Sequence, residues 1–566
     1  MVRKQHKTSS QRLNTYVFIV LVIAIVVVLN LLGNYVNFRL DLTEDSRYTL
    51  GESTEHLLEN LDEQVYVSCY LDGDLPAGFQ ELKEAIHEML DEFRAQSGVD
   101  IDYEFIDPYE IAQGKERSDL FTQLAGRGLK SFELQDTRDD EIVRKIVWPS
   151  AFVSIGEREV PVSFLREQMG MSSDLVLHNS VMGVEYELAN AISSLVQSHK
   201  KRIAVVGGHG EVPSNRLSEI ARELSLKYDI ERIDITQYKV GKLEQFDAAI
   251  IAGPDSTYSN ADLYRIDHYI MNGGKVLWFL ESLVATMDSL RTQNYTTTLD
   301  YNLNLRDLLF RYGVRVNLDL VQDYNSHTIP VMAGEGGTVN RKWPYYPLVT
   351  PTSDHPIVKN LGLIWFQFPN SIDTLPAPGI NKTILLKSSA NSRIVHHPHR
   401  IMLQLTQMNL NPSLFSNGEQ NLAVLLEGKF TSFFKNKLTK QTLANPDYGV
   451  FVDESPETKM VVVSDVDIIA NGVNPLNGDS YPLGFDRYTG KSFGNKSFVL
   501  NSVDYLLDES GLFQLRSKDF KLRMLQQGRA KDERAYWQMI NLVVPLVLLV
   551  LAGLLFNFLR KRRFTK

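Results

Sequence analysis

Two long uncharged stretches constrain this chain more than any other feature. No charged residue occurs between positions 13 and 38, and none occurs between positions 535 and 559. A helix that crosses the hydrocarbon core of a bilayer needs about 20 mostly apolar residues, and both stretches meet this requirement. The sequence therefore predicts transmembrane helices at 13–38 and 535–559, with a polar body of about 500 residues between them.

The distribution of Lys and Arg predicts how these helices are oriented. Residues 1–12 contain four basic residues and no acidic residue, and residues 560–566 contain five basic residues. Short basic flanks stay in the cytoplasm, whereas long domains cross the membrane largely regardless of charge. Both tails are therefore expected to be cytoplasmic and the body to lie outside, although the juxtamembrane linker at 511–534 is also basic. The first apolar run is longer than that of a signal peptide, and no A-x-A-like site follows it, which favours a retained anchor over a cleaved signal.

The body is acidic. The chain has a formal net charge of −10, and the two tails contribute +4 and +5, so the body carries −19. This charge disfavours binding to nucleic acid, because the phosphates would repel the body. The single cysteine, Cys69, excludes an internal disulfide bond, and its place in a predicted strand favours a core role.

Residues 39–198 have the pattern of a first α/β domain. A strand at 64–71, a helix at 79–96 and an alternating strand at 99–106 predict a βαβ unit with parallel strands. We interpret the whole order as a thioredoxin-like domain, and the absence of a C-x-x-C motif excludes thioredoxin-type redox chemistry. The remaining predicted elements are strands at 142–148, 151–155 and 159–164 and a helix at 180–197.

Residues 199–510 have the pattern of a second, doubly wound α/β domain. Two of its predicted strands, at 248–253 and 275–280, are apolar throughout, which is typical of parallel strands buried on both faces. Residues 323–420 are rich in Pro, Gly, Asn and Ser and are expected to form irregular insertions and hairpins. The other predicted elements are strands at 202–206, 230–235, 400–405, 422–428 and 459–464 and helices at 215–228, 260–271 and 496–507.

A glycine-rich turn follows the first strand of this second domain, where ligands of open α/β sheets usually bind. It is a candidate ligand or interaction turn, but the dinucleotide spacing G-x-G-x-x-G fails because Pro213 stands at the third glycine position. A purely structural strand-to-helix turn, with Pro213 and Ser214 starting the helix, is the stronger alternative. In the ligand-binding interpretation, His209 and Glu211 form a polar pair facing a crevice. The residues of the turn are Gly207, Gly208, His209, Gly210 and Glu211.

Other motifs argue against catalysis and cofactors. Residues 484–492 resemble a phosphate-binding loop but are one residue too long, and no apolar strand directly precedes them. The cluster His396, His397 and His399 lies in a proline turn, and adjacent histidines there point in different directions, so no metal site is predicted. No paired acid and base or nucleophile motif is found either. The sequence therefore predicts a protein that is not an enzyme and needs no cofactor.

Small and polar residues in the two apolar stretches are candidate packing points against partner helices. Small residues allow close approach of helices, and polar ones can form hydrogen bonds across them. Ordinary placement near the membrane interface is an equally good alternative. The four candidates are Asn30, Gly33, Asn541 and Gly553.

The order of all these features resembles the GldG family of gliding-motility-associated ABC-transporter auxiliary proteins of Bacteroidetes. The resemblance covers essentially the whole chain. Its most specific parts are D-L-T-E-D-S-R-Y-T-L at 41–50, Gly-His-Gly-Glu at 208–211, and Gly494-Asn495 ahead of a helix. It implies location in the bacterial inner membrane with the body in the periplasm. It also implies an ABC permease and a separate cytoplasmic ATPase as partners, and a second domain like those of class I glutamine amidotransferase relatives.

These observations give a first function hypothesis and an alternative. The first is a non-catalytic auxiliary subunit that couples a permease and an ATPase to a periplasmic protein partner in gliding. The alternative is a periplasmic solute- or glycan-binding component that uses the crevice above the glycine-rich turn. A hydrolase or transferase with an unrecognised acid/base pair is a weaker third hypothesis.

Overall fold

A computed structural model describes most of the body and the C-terminal helix. The described residues are 50–138, 141–165, 173–197, 199–287, 290, 293–332, 337–408, 410–474, 476–517 and 533–564, with 18, 21, 22, 24 and 25. Tyr48–Lys518 form one compact unit, and Met1–Arg47 with Asp519–Lys566 form another. The five described residues of the first apolar stretch are helical, and the rest of the helix predicted at 13–38 lies outside the described residues.

The first part of the body is a four-stranded sheet packed against helices. Its elements are α1 (Glu52–Glu59), β1 (Val65–Cys69), α2 (Ala77–Gln96), β2 (Ile101–Phe105), α3 (Pro108–Ile111), α4 (Gly114–Gly126), β3 (Phe132–Arg138), β4 (Glu141–Val147), β5 (Ser150–Ile155), β6 (Arg158–Ser163) and α5 (Ser173–Val196). The strand order is β2-β1-β5-β6, and β3 and β4 form a separate antiparallel hairpin. β1 pairs with β2 in parallel and with β5 antiparallel, so the predicted βαβ unit is confirmed.

Several predicted boundaries in this part are wrong. α5 begins at Ser173, earlier than predicted, and both α4 and β3 were not predicted. α4 buries only Leu124 of its thirteen residues, so it lacks a strong apolar stripe. The identification of this part as thioredoxin-like stays a prediction.

The second part of the body contains a seven-stranded, mostly parallel sheet. The strand order is β8-β7-β9-β10-β24-β23-β20, in which the first five strands are parallel, β23 runs antiparallel to β24, and β20 runs antiparallel to β23. Its strands and those of the insertions are β7 (Arg202–Gly207), β8 (Asp229–Asp234), β9 (Ala248–Ala252), β10 (Lys275–Phe279), β11 (Leu283–Val284), β12 (Tyr295–Thr297), β13 (Leu299–Asp300), β14 (Val314–Val316), β15 (Asp319–Asp323), β16 (Ser326–Met332), β17 (Thr338–Val349), β18 (Ile364–Trp365), β19 (Ile372–Thr374), β20 (Ile380–Lys387), β21 (Ser392–His396), β22 (Arg400–Met402), β23 (Asn421–Thr431), β24 (Glu454–Val463), β25 (Phe485–Asp486) and β26 (Lys491–Ser492). Its α-helices are α6 (Ser218–Ser225), α7 (Asn260–Met271), α8 (Arg306–Tyr312), α9 (Lys440–Leu443) and α10 (Asn495–Leu507).

Helices cover both faces of this sheet. Ile250 of β9 and Leu277 of β10 belong to the core that also holds residues of α6 and α10, whereas Ile251 and Trp278 belong to the core formed with α7 and α8. Successive side chains of a strand point to opposite faces, so strands that are apolar throughout are required here. The first of these cores continues into the sheet of the first part, because Val67 of β1 lies in the same cluster.

Long ribbons fill the sequence between β10 and β23. β16, β17 and β18 form a three-stranded antiparallel sheet, and they cover a separate core that includes Trp343 and Tyr345. Residues 323–420 are thus more regular than predicted. Two further predictions are wrong in detail. The helix at 215–228 is a 3-10 turn, Ser214–Leu217, followed by the shorter α6, and the strand at 400–405 ends at Met402 before a 3-10 turn.

The second predicted membrane helix is present as α11 (Arg534–Phe564). Among the described residues, one helix is long and apolar enough to cross a membrane, with 27 residues from Tyr536 to Arg562 and a mean hydropathy of 2.7 in its most apolar window. None of that window is buried among the described residues.

Candidate functional site

The predicted turn lies at the carboxyl edge of the parallel sheet. β7 ends at Gly207, and the chain turns through Gly208 and Gly210, whose φ angles are 119° and 76°. A side chain at Gly210 would overlap the carboxylate of Asp255, in the loop after β9. The backbone N–H of Asp255 donates to the carbonyl of His209 at 2.9 Å, which holds the two loops together. Glycine is therefore required at position 210 for both its backbone conformation and its size.

Glu211 closes the turn from the inside. It is 7% exposed, and its two carboxylate oxygens accept hydrogen bonds from the backbone N–H of His209 at 2.7 Å and from the hydroxyl of Tyr258 at 2.9 Å. Burial, reinforced by the Glu211 carboxylate, raises the pKa of Tyr258 well above its ordinary value. The Tyr258 hydroxyl is therefore a permanent donor to Glu211.

His209 is packed into the same network and is 5% exposed. Its ring stacks on Tyr258 with 3.8 Å between centroids, and its Nε2 lies 3.3 Å from a carboxylate oxygen of Asp262. Its Nδ1 has no hydrogen-bond partner among the described residues and lies 3.8 Å from Glu211. The predicted polar pair is thus brought together, but it is directed into the protein. The role of the turn as a ligand or interaction site stays a prediction.

Three carboxylates that the sequence analysis missed lie along the same edge. Glu281 follows β10, and Asp465 and Asp467 follow the neighbouring strand β24. One oxygen from each lies within 4.8 Å of the other two, and these are the residues in the described part of the chain that could hold a metal ion. Carboxylate oxygens are the ligands that Ca²⁺ and Mg²⁺ prefer.

The carboxylates strongly affect each other's protonation. Burial raises the pKa of Glu281 to about 8, and the Asp467 carboxylate adds to this effect. The pKa of Asp465, which is fully buried, is raised well above its ordinary value by burial and by the other two acids. Asp467 has a raised pKa because of burial, opposed by Arg216, whose guanidinium lies 3.0 Å away. One arginine beside three acids leaves the group under-neutralised, so it favours either a bound cation or retained protons.

The remaining motifs occupy structural positions. Residues 484–492 form the β25–β26 hairpin, and no strand–loop–helix phosphate site is built there. His397 lies 3.2 Å from the hydroxyl of Thr298, and His399 lies 2.8 Å from the hydroxyl of Tyr345. Cys69 is fully buried in β1, and burial raises the pKa of its thiol to about 12, so it is not a reactive thiolate.

The four candidate packing residues of the membrane helices are only half described. Asn541 and Gly553 lie in α11 and are exposed, and no atom lies within 4 Å of the position that a Cβ would take at Gly553. Asn30 and Gly33 lie outside the described residues.

The described residues form an α/β body with acidic side chains at the carboxyl edge of its parallel sheet. The chain also carries α11, a helix of membrane-spanning length. Residues 200–502 match the family model of an ABC-type uncharacterized transport system, the ABC transport auxiliary family. The match covers more than half of the chain, which therefore belongs to this family. Residues 44–154 match a domain of unknown function.

Comparison with other known proteins adds little. None of the curated proteins matches the chain. Among solved structures, the mmIFT52 N-terminal domain is similar to it with 15% sequence identity and a TM-score of 0.32, over 54% of this chain and 97% of that domain.

Proposed function

We propose that this protein is a non-catalytic, membrane-anchored auxiliary subunit of an ABC-type complex. The observation that carries the proposal is the family match over residues 200–502, on a chain whose α11 is long and apolar enough to anchor it. The closed network around His209 and Glu211 supports a non-catalytic role, because both side chains are buried and bonded to other groups of the protein.

The more detailed proposal concerns the partners of the chain and the direction in which it transmits movement. A permease and a separate cytoplasmic ATPase bind at the membrane helices, and the body transmits ATP-driven movement to a periplasmic protein, serving gliding motility in a Bacteroidetes cell. Anchoring at two ends would prevent the body from diffusing away as a free binding protein does.

Purification from native membranes tests the complex. We expect a permease and an ATPase to co-purify with the tagged full-length chain in stoichiometric amounts. ATP hydrolysis is expected in the complex and not in the chain alone. Gly553→Leu should weaken the permease contact if this exposed position is a packing point, whereas Leu549→Ile should act as a neutral control on the same helix. ATPase activity of the isolated chain, or a preparation with neither partner, would contradict the proposal.

Cysteine labelling tests the topology. Cysteines at Ser9 and Thr565 should be protected from an impermeant reagent in intact cells. A cysteine at the exposed Asn294 should react once the outer membrane is permeable. Equal labelling at all three positions would overturn the orientation, and structures of the complex with and without ATP that show one unchanged body would remove the transmission mechanism.

A second candidate function, a periplasmic solute- or glycan-binding component, is favoured by one observation. A cavity of about 500 Å³ lies beside the carboxylate edge and is lined by Asp467 together with aromatic residues. This volume is within the range of about 300–1,000 Å³ that is typical of small-molecule sites. The cavity differs in place from the crevice above the glycine-rich turn.

A further inference from the structure

The cavity beside Asp467 has walls from several separate segments of the chain. β16 contributes Thr328 and Ile329, β17 contributes Tyr346, and β18 contributes Trp365. The β25–β26 hairpin and the residues before it close the other side. A volume of about 500 Å³ bounded by strands and a hairpin is a formed pocket on a rigid base.

Aromatic rings form much of the lining. Tyr346 is buried and meets Trp365 edge to face, with centroids 5.8 Å apart. Opposite them, Tyr481 and Phe485 lie 5.9 Å apart, and Tyr488 is 48% exposed. Flat rings of this kind offer apolar faces to a ligand at little cost in side-chain entropy.

The polar groups of the cavity are few and of mixed character. Thr328, Gln367, Asp467 and Arg487 supply both donors and acceptors. The indole N–H of Trp365 is buried and has no acceptor among the described residues. That N–H does not reach the cavity surface, so Trp365 contributes its ring and not its donor to the lining.

The charged side chains at the cavity exclude some classes of ligand. Asp467 belongs to the acidic group at the sheet edge, so an anion such as a phosphate would be repelled. An ammonium ion would be expected over an exposed ring, but the guanidinium of Arg487 already lies 4.7 Å from the centroid of Tyr488. A neutral ligand with an apolar face and many hydroxyl groups is neither repelled by the acidic group nor in competition with the guanidinium of Arg487.

We infer that this cavity binds a short saccharide, with its ring faces against Trp365 and Tyr488 and its hydroxyls on Asp467, Gln367 and Arg487. The inference rests on the second candidate function proposed above and names its ligand class. It does not depend on the chain's assembly with a permease or an ATPase.

Calorimetric titration of the full-length chain tests the inference. The chain is placed in lipid nanodiscs, free of sugar-based detergents, and titrated with maltotriose, cellotriose, chitotriose and mannotriose. We expect saturable binding of at least one probe, with Kd below about 1 mM. Tyr488→Ala and Trp365→Phe should each weaken it at least tenfold, since the first removes one ring face and the second reduces another.

Two matched variants control for general effects. Tyr295 is 40% exposed and carries Arg400 3.8 Å from its ring centroid, so Tyr295→Ala reproduces the surface change of Tyr488→Ala away from the cavity. Trp343 is fully buried and also has an indole N–H without an acceptor in the described residues, so Trp343→Phe matches Trp365→Phe. Both controls should bind the probe like the unmodified chain.

The possible failures are distinguishable. Equal weakening by cavity and control variants, or no binding of any trisaccharide, would overturn the inference. Binding of tetramethylammonium in place of saccharides would overturn it too, while leaving a solute-binding function intact. Co-purification with a permease and an ATPase is measured separately and is unaffected by either result.

Discussion

Replacing Glu281 with glutamine should make the unfolding free energy of the protein less dependent on pH. The carboxyl of Glu281 has a pKa raised from 4.5 to about 8 by burial and by Asp467. The folded state therefore holds this proton over a pH range in which the unfolded chain has lost it. The contribution of Glu281 to the unfolding free energy must therefore fall as pH rises from about 4.5 to about 8 and stay constant above that.

The magnitude follows from the size of the pKa change. At about 1.4 kcal/mol for each pKa unit, an isolated group would destabilise the folded protein by about 5 kcal/mol above pH 8. Glu281 is half-buried and shares its surroundings with Asp465 and Asp467, so water and proton sharing reduce this value. We expect Glu281→Gln to be more stable than the native protein by about 2 kcal/mol at pH 8.5, and by a few tenths of a kcal/mol at pH 5.

Urea denaturation of the full-length chain at pH 5 and 8.5 measures this effect. EDTA keeps divalent cations from neutralising the carboxylates, and the combined fluorescence of the tryptophans, among them Trp278 buried in β10, reports unfolding. Glu419→Gln is the matched control, because Glu419 is 53% exposed in a surface ion pair with Lys387. An effect of Glu281→Gln that is equal at the two pH values, or larger at pH 5, would refute the reasoning.

Three further predictions concern single residues. Gly210→Val should lower the unfolding free energy by more than about 1 kcal/mol. Gly418→Val should lower it by less, because Gly418 also has a positive φ but has open space around it. Equal losses of unfolding free energy in urea melts would contradict the overlap with Asp255. Glu211→Ala should cost about 2 kcal/mol by leaving the hydroxyl of Tyr258 unpaired, and a melting temperature equal to that of the native protein would refute this. Asp486 accepts a hydrogen bond from His327 at 2.9 Å and has a pKa lowered to about 2. Asp486→Asn should therefore lower the unfolding free energy by about 2 kcal/mol at pH 7. This difference between variant and native protein should disappear as pH falls from about 4 toward 2.

The sequence predicted the parallel sheet well because its signal is local. The residues of these elements show where each one begins and ends. β9 has five consecutive buried residues, and α7 is capped by the side chain of Ser259. α4 was missed because its residues do not hold a single apolar stripe. The split between the 3-10 turn and α6 was missed because the buried residues Leu217, Ile220 and Leu224 keep helical spacing across it. The ribbons after β10 were underestimated because Pro and Asn in them look like loop residues, although β17 contains two prolines within twelve residues of strand.

The candidate site was predicted only in part. The glycine-rich turn was found because positive-φ glycines after a strand are a local pattern. Glu281 and Asp465 were not, although each is the first acid after an apolar strand. Their proximity depends on β10 and β24 being neighbours, and no local pattern shows this pairing. The aromatic cavity likewise depends on several segments that meet only in the folded chain.

The pairing of β10 with β24 has a consequence for how the protein is made. Val276 is aligned with Met460, and all the ribbons and β23 are synthesised between them. Closing a loop of this length is slow, because its entropy is lost before any contact is gained. The edge of β10 that pairs with β24 therefore stays unpaired and hydrophobic until almost the whole body has emerged from the ribosome. Exposed edges of this kind recruit other chains. We expect the yield of this protein in cells to be limited by holding chaperones at that stage more than by the stability of the finished fold.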